Sequence, residues 1–170
     1  MWLGHVVIWT LTGASRALVL EGIGNPDNVG GLFRTAYALG VDAVFVGPGT
    51  GDPLYRKALR VSCGGALAVP FAVVPSIPEL LSLLIERGVE VWAMTPDEGA
   101  VPLADACRRP PPMVALLLGA EGPGLTADAI AGASLRVRIP VNPAADSLNV
   151  TVAAGIALSA LGPGVSADRP

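Results

Sequence analysis

The chain has 170 residues, 52% of them hydrophobic and 15% charged, which is enough apolar content for one folded domain and too much for intrinsic disorder. Its formal net charge of −3 argues against a broad nonspecific nucleic-acid footprint but leaves room for a local basic patch. One histidine (His5) and two cysteines without ligand spacing (Cys63 and Cys107) exclude a His-based metal cluster, and no apolar run reaches the roughly 18 residues of a membrane span, so no metal, no membrane and a cytoplasmic location are expected.

Residues 1–15 have no clear period and read as a leader or the remnant of an upstream region. Ala17–Leu20 is a short apolar run of buried-strand type. Asn25–Asn28 is turn chemistry, with Asn28 placed to cap a helix on which Val29, Leu32, Phe33 and Ala36 recur at helical spacing until Gly40. Ala43–Val46 is the next strand, Pro53–Val61 a helix and Ala68–Val74 an extended run. Ile77–Arg87 is an amphipathic helix closed by Gly88, followed by the strand Val89–Met94. After the Pro-rich connector Arg108–Pro112 come the strand Met113–Leu118, the short helix Leu125–Ala131 and the strand Leu135–Ile139. A last helix opens at Ser147 and stays apolar to Leu161, and 162–170 reads as a flexible tail. Buried strands alternating with helices predict a single α/β domain over 16–161, with a mostly parallel sheet covered on both faces.

Three polar loops at strand ends stand out, and together they suggest one site assembled from three pieces. The first is Asn25-Pro26-Asp27-Asn28-Val29-Gly30-Gly31-Leu32-Phe33-Arg34-Thr35-Ala36. Arg34 lies off the apolar stripe near a helix N-terminus, where a cation opposes the helix dipole; it is either a solvated arginine or one offset by an anionic partner. The second is Gly119-Ala120-Glu121-Gly122-Pro123-Gly124, after the apolar run Leu116–Leu118. It lacks the Lys-Ser/Thr of a phosphate loop, and Glu121 is either a ligand hook or an ordinary loop carboxylate. The third runs from Ile139 to Val150: Ser147 is explained by capping, Asn149 is not, and Ile139 and Leu148 can bed a flat ring. Arg56, Lys57 and Arg60 on the helix Pro53–Val61 form, with Arg34, the densest positive cluster, serving either phosphate contact or a solvated helix face.

In this order and at these separations, the three motifs resemble those of the SpoU (TrmH-like) RNA ribose methyltransferases of the SPOUT superfamily. Val61–Pro70, with Ser62, Gly64 and Gly65, resembles a further family stretch, and the resemblance covers about residues 17–161. It implies an α/β fold with a C-terminal deep trefoil knot. It implies a homodimer with active sites at the interface, and methyl transfer from S-adenosyl-L-methionine to a ribose 2′-hydroxyl of rRNA or tRNA. Carried onto this chain, it makes Asn28, Arg34, Glu121, Ser147 and Asn149 the catalytic polar set. Thr95, Leu118, Gly119, Ile139, Leu148 and Asn149 would bind the cofactor, and Arg56, Lys57, Arg60 and Ser62 the RNA. The cofactor is an already activated methyl donor, so neither a metal nor a covalent intermediate is required. A guanidinium holds its proton far above neutral pH, so Arg34 is expected to fix an RNA phosphate and to stabilise developing alkoxide charge.

Many relatives carry a separate N-terminal RNA-binding domain or basic terminal helices, and none is seen here. RNA affinity would then come from an upstream domain, from the dimer surface or from a partner. The alternative class is a non-catalytic knotted cofactor-binding or regulatory protein without independent RNA affinity.

Overall fold

The strands β1 (Arg16–Leu20) and β6 (Val114–Leu118) are buried at every position, the pattern of central parallel strands covered on both sides. The computed structural model describes residues 16–142, 144 and 147–162; the expected leader, and the expected tail beyond Gly162, lie outside the described residues. The sheet has seven strands in the order β3 (Phe71–Val73), β2 (Ala43–Val46), β1, β6, β4 (Glu90–Met94), β7 (Leu135–Arg138), β5 (Val101–Pro102). Every pairing is parallel, with Leu20 opposite Val46 on one side and Leu118 on the other.

Period-two alternation divides the core. Leu18, Leu20, Val44, Val46, Leu116 and Leu118 face α1 (Pro26–Ala38) and α7 (Val150–Ala160), joined by Ala58 of α2 (Arg56–Ser62) and Ala66 of α3 (Gly65–Ala68). Ala17, Val19, Phe45, Ala93 and Leu117 face α4 (Ile77–Glu86) and α6 (Ala127–Ala131). The expected α/β architecture with both faces covered is therefore the observed one. Because the strands run one way, the loops that follow β1, β2, β4, β6 and β7 emerge at one edge, where α/β sheets place their sites.

Several boundaries differ from expectation, for local reasons. α1 is capped by Asn25, whose Oδ1 accepts the Asp27 N–H at 3.0 Å; Pro26 fills the first turn, where its missing N–H costs nothing. Asn28 therefore lies inside the helix and is not its cap. α7 opens at Val150 rather than Ser147, because Asn149 caps it through the Thr151 N–H at 2.9 Å. α2 starts at Arg56, since Asp52 draws Pro53–Tyr55 into a turn by accepting the Leu54 N–H at 2.8 Å. Gly65–Ala68 is helical, so only Phe71–Val73 of the expected extended run is strand. β5 and the adjoining α5 (Leu103–Ala106) escaped the sequence reading, being too short to express a period. The expected glycine stops hold: Gly40 (φ +69°) and Gly88 (φ +78°) follow α1 and α4 in the left-handed region.

Arg16 is the one charged side chain deep in the described core, at 7% exposure. Its Nη2 donates to the Leu161 carbonyl at 2.7 Å, tying the end of α7 to the start of β1, and its N–H donates to the Asp42 carboxylate at 2.9 Å. Burial lowers its pKa, and the charge of Asp42 opposes that effect. Among the described residues, no helix is long and apolar enough to cross a membrane.

α1 and α2 approach closely at Gly30. A Cβ there would sit 2.5 Å from the Ala58 carbonyl oxygen and 2.8 Å from the Val61 Cβ. At Gly155 of α7, a Cβ would meet only Thr35 Cγ2 at 3.7 Å, an ordinary contact. Gly30→Ala should lose about 1–3 kcal/mol by overpacking, whereas Gly155→Ala should gain up to about 1 kcal/mol from helix propensity. Urea melts of the two variants test this; equal effects would contradict the packing.

Candidate active site

The loops after β4, β6 and β7 meet over the N-terminus of α7. The β6 loop turns back on itself: the Gly124 N–H donates to the Ala120 carbonyl at 3.0 Å, and these residues form an antiparallel bridge. A Cβ on Gly119 would lie 2.5 Å from Gly124 C and Leu125 N, so only glycine allows this fold-back. The β4 loop is held to β7 by the Thr95 N–H, which donates to the Val137 carbonyl at 3.0 Å. Thr95 Oγ1 accepts the Asp97 N–H at 3.3 Å.

Together the three loops enclose a pocket of about 430 Å³, within the roughly 300–1,000 Å³ of small-molecule sites. Thr95, Leu118, Gly119, Ile139 and Leu148 line it, as do Glu121 and Ser147. Met94, Leu118, Ile139 and Leu148 supply an apolar surface suited to a flat ring, while among the described residues Glu121 is the one charged side chain on the wall. The lining thus fits a small molecule with an aromatic part and a positive centre. A second hollow of about 600 Å³ lies at the β5–β7 edge, but among the described residues its one charged side chain, Arg136, is paired with Asp97 at 2.6 Å and no set of polar groups converges there.

The Asn149 side chain joins the three motifs. Its Nδ2 donates to Asn28 Oδ1 at 3.0 Å and to Glu121 Oε1 at 2.7 Å, while its Oδ1 caps α7. The reverse amide orientation would set oxygen against the Glu121 carboxylate, so this assignment is the physically consistent one. Thr151 Oγ1 reaches the Asn28 carbonyl at 3.5 Å, and a Cβ on Gly31 would meet Thr151 Oγ1 at 2.9 Å, so α1 and α7 are in close contact here. Asn28, 7% exposed, and Asn149, expected among the cofactor-binding residues, both lie off the pocket wall, next to Glu121, Leu148 and Val150 that line it.

Arg34 is not brought to the pocket. It is exposed on α1, with neither a hydrogen bond nor an ion pair among the described residues. Arg56 and Arg60 are exposed on α2, one turn apart. Lys57 is bound to Asp27 at 2.7 Å, an exposed pair that partly cancels its charge toward a ligand. Ser62 does not fit the expected RNA contact: it is 1% exposed, donates to the Leu59 carbonyl at 2.8 Å and accepts the Ala66 N–H at 3.3 Å. It joins α2 to α3 across Cys63, which has a left-handed backbone (φ 49°). Glu21 and Thr126, which brace the β6 loop, were missed by sequence reasoning. A carboxylate directly after the apolar run Ala17–Leu20 was the available signal.

Asn149→Asp separates the two roles of the amide. Aspartate caps a helix as well as asparagine, so α7 should survive and stability should change by less than about 1 kcal/mol. The lost donor and the new charge beside Glu121 should open the junction and loosen the β6 loop. Thermal melting together with amide exchange of 119–126 reads both effects; unchanged exchange in the loop would contradict the bridging role.

Residues 15–159 match the model of the SpoU rRNA Methylase family. The chain is 47% identical over 152 residues to an uncharacterized tRNA/rRNA methyltransferase of Mycobacterium tuberculosis, covering 89% of this chain and 53% of that protein. It is 33% identical over 156 residues to a 23S rRNA (guanosine(2553)-2′-O)-methyltransferase of Bacillus subtilis, covering 89% of this chain and 60% of that protein. The AdoMet-bound rRNA methyltransferase of Sinorhizobium meliloti superposes with a TM-score of 0.79 at 29% identity, covering 86% of this chain and 55% of that one. The chain thus spans somewhat more than half the length of these relatives, and the matched part contains all three motifs. The chain belongs to the SpoU rRNA methylase family.

Proposed function

We propose that this protein is a cytoplasmic S-adenosyl-L-methionine-dependent methyltransferase acting on a ribose 2′-hydroxyl of rRNA or tRNA. The observation that carries the reading is the Asn149 amide, which gathers Asn28 and Glu121 beside a pocket whose lining fits the cofactor. Leu118, Ile139 and Leu148 would hold the adenine, and Glu121 provides the negative charge that suits a sulfonium. When bound, the cofactor supplies an electrophilic methyl group. The protein's task is then alignment of the ribose hydroxyl and stabilisation of the charge it develops. Ser147, exposed at the pocket and without a hydrogen bond among the described residues, is a donor and acceptor for the ribose. We also propose the family's knotted path for the segment that leads into α7.

Arg34 requires a second copy in this reading. It lies away from the pocket of its own chain, and α7 is apolar on its outer side too, leaving Val152 49% and Ile156 39% exposed. A homodimer sealed over α7 would cover that face and bring one protomer's Arg34 toward its partner's pocket. There Arg34 would bind a phosphate and stabilise the alkoxide, with Arg56 and Arg60 extending the basic track. Ile156→Glu should then give a monomer without transferase activity but with its fold intact. Sedimentation and circular dichroism read this, and an active monomer would remove the shared-site arrangement.

Methyl transfer from labelled cofactor to total rRNA and tRNA tests the function. Incorporation should map to a ribose 2′-oxygen and fall by about 10²–10³-fold in Arg34→Ala, while cofactor affinity stays within about twofold. Equal loss of binding and turnover would deny Arg34 its assigned role. Cofactor binding without incorporation on either RNA would favour the non-catalytic class.

A further inference from the structure

We propose that Glu21 is a positioning residue of the cofactor pocket, clamping both stems of the loop Gly119–Leu125. The proposal rests on the pocket's assignment to the cofactor. Glu21 directly follows β1, and its backbone N–H donates to the Leu118 carbonyl at 2.9 Å, where the loop begins. Its carboxylate reaches the residue where the loop ends: Oε2 accepts the Thr126 N–H and Oε1 the Thr126 hydroxyl, each at 2.9 Å. One residue, 105 positions from its partner, thereby holds the loop at start and finish.

The loop needs such a brace. It is rich in glycine, with Gly122 and Gly124 both at positive φ, so its intrinsic order is low. It supplies Gly119, Ala120, Glu121, Gly122 and Gly124 to the pocket wall. It also carries Glu121 to its bond with Asn149. A loop free at one stem would spread these groups over many conformations, and the cofactor would have to bear the ordering cost on binding.

The clamp is not required by its neighbours. β1 is already held by β2 and β6 through full ladders, and the Thr126 hydroxyl caps α6 by accepting the Ala129 N–H at 3.2 Å. Glu21 itself is absent from the pocket wall, so its influence passes through the loop. Two charge-assisted hydrogen bonds from one carboxylate are sufficient to fix a short loop stem.

The test is calorimetry with S-adenosyl-L-methionine on the wild type, Glu21→Ala, Glu21→Gln and Thr126→Val, beside amide exchange of 119–126 in the cofactor-free proteins. In Glu21→Ala the cofactor Kd should rise about tenfold and loop exchange should increase, with far-UV circular dichroism and RNA affinity unchanged. Glu21→Gln keeps one acceptor and should fall between wild type and Glu21→Ala. An unchanged Kd in a folded Glu21→Ala variant overturns the proposal, whether or not exchange rises. If Glu21→Ala does not fold, Glu21→Gln and Thr126→Val decide by the same two readouts. Absence of cofactor binding by the wild type itself would defeat the cofactor reading, and loop exchange would then judge the clamp alone.

Discussion

The candidate site depends on one side-chain amide. Asn149 must cap α7 with its oxygen, and this leaves its two N–H groups for Asn28 and Glu121. The cap thereby orients the donor, and the donor joins residues from α1 and the β6 loop that lie far apart in the chain. Helix capping, normally worth about 1 kcal/mol, here sets the relative positions of three motifs. A helix terminus is well suited to this, because its unpaired N–H groups fix the cap more firmly than a loop would.

The rest of the fold supplies rigidity and direction. The parallel sheet is buried on both faces, so strand ends are held by the core and only the loops can vary. Tertiary bonds then brace the loops: Thr95 to Val137 after β4, and Glu21 to Thr126 after β6. Small residues let α1 approach its neighbours, with Gly30 against α2 and Gly31 against Thr151 of α7. Among the described residues the pocket wall is mainly backbone and apolar side chains, and the carboxylate of Glu121 is bound to Asn149.

Charge is distributed unevenly over this acidic chain. The exposed arginines Arg34, Arg56 and Arg60 lie on α1 and α2, while Lys57 is drawn to Asp27. Three such charges can orient a polyanion but are few for tight binding by phosphate neutralisation alone. Under the proposed pairing of two copies over α7, those arginines would be doubled, and the apolar outer face of the helix would then bear on RNA affinity as well as on assembly.

Much of this was legible in the sequence. Ala17–Leu20, Ala43–Val46 and Leu116–Leu118 are short and apolar without interruption, the pattern of strands covered on both sides. The three polar loops could be located because they end these runs, and their order carried the family resemblance. What the sequence by itself determined is therefore the alternation of strand and helix, the parallel sheet and the positions of the motifs, because hydrophobic periodicity and turn chemistry are local. Only the tertiary structure decided that Asn25 and Asn149, rather than Asn28 and Ser147, are the caps, that Ser62 is buried, that Lys57 is paired and that Glu21 spans the β6 loop. For Lys57 and Glu21 the deciding partners lie 30 and 105 residues away and leave no trace in local spacing. The caps rest on bonds to the second residue on, and there each motif offers more than one residue able to cap until the packed helix fixes its first turn.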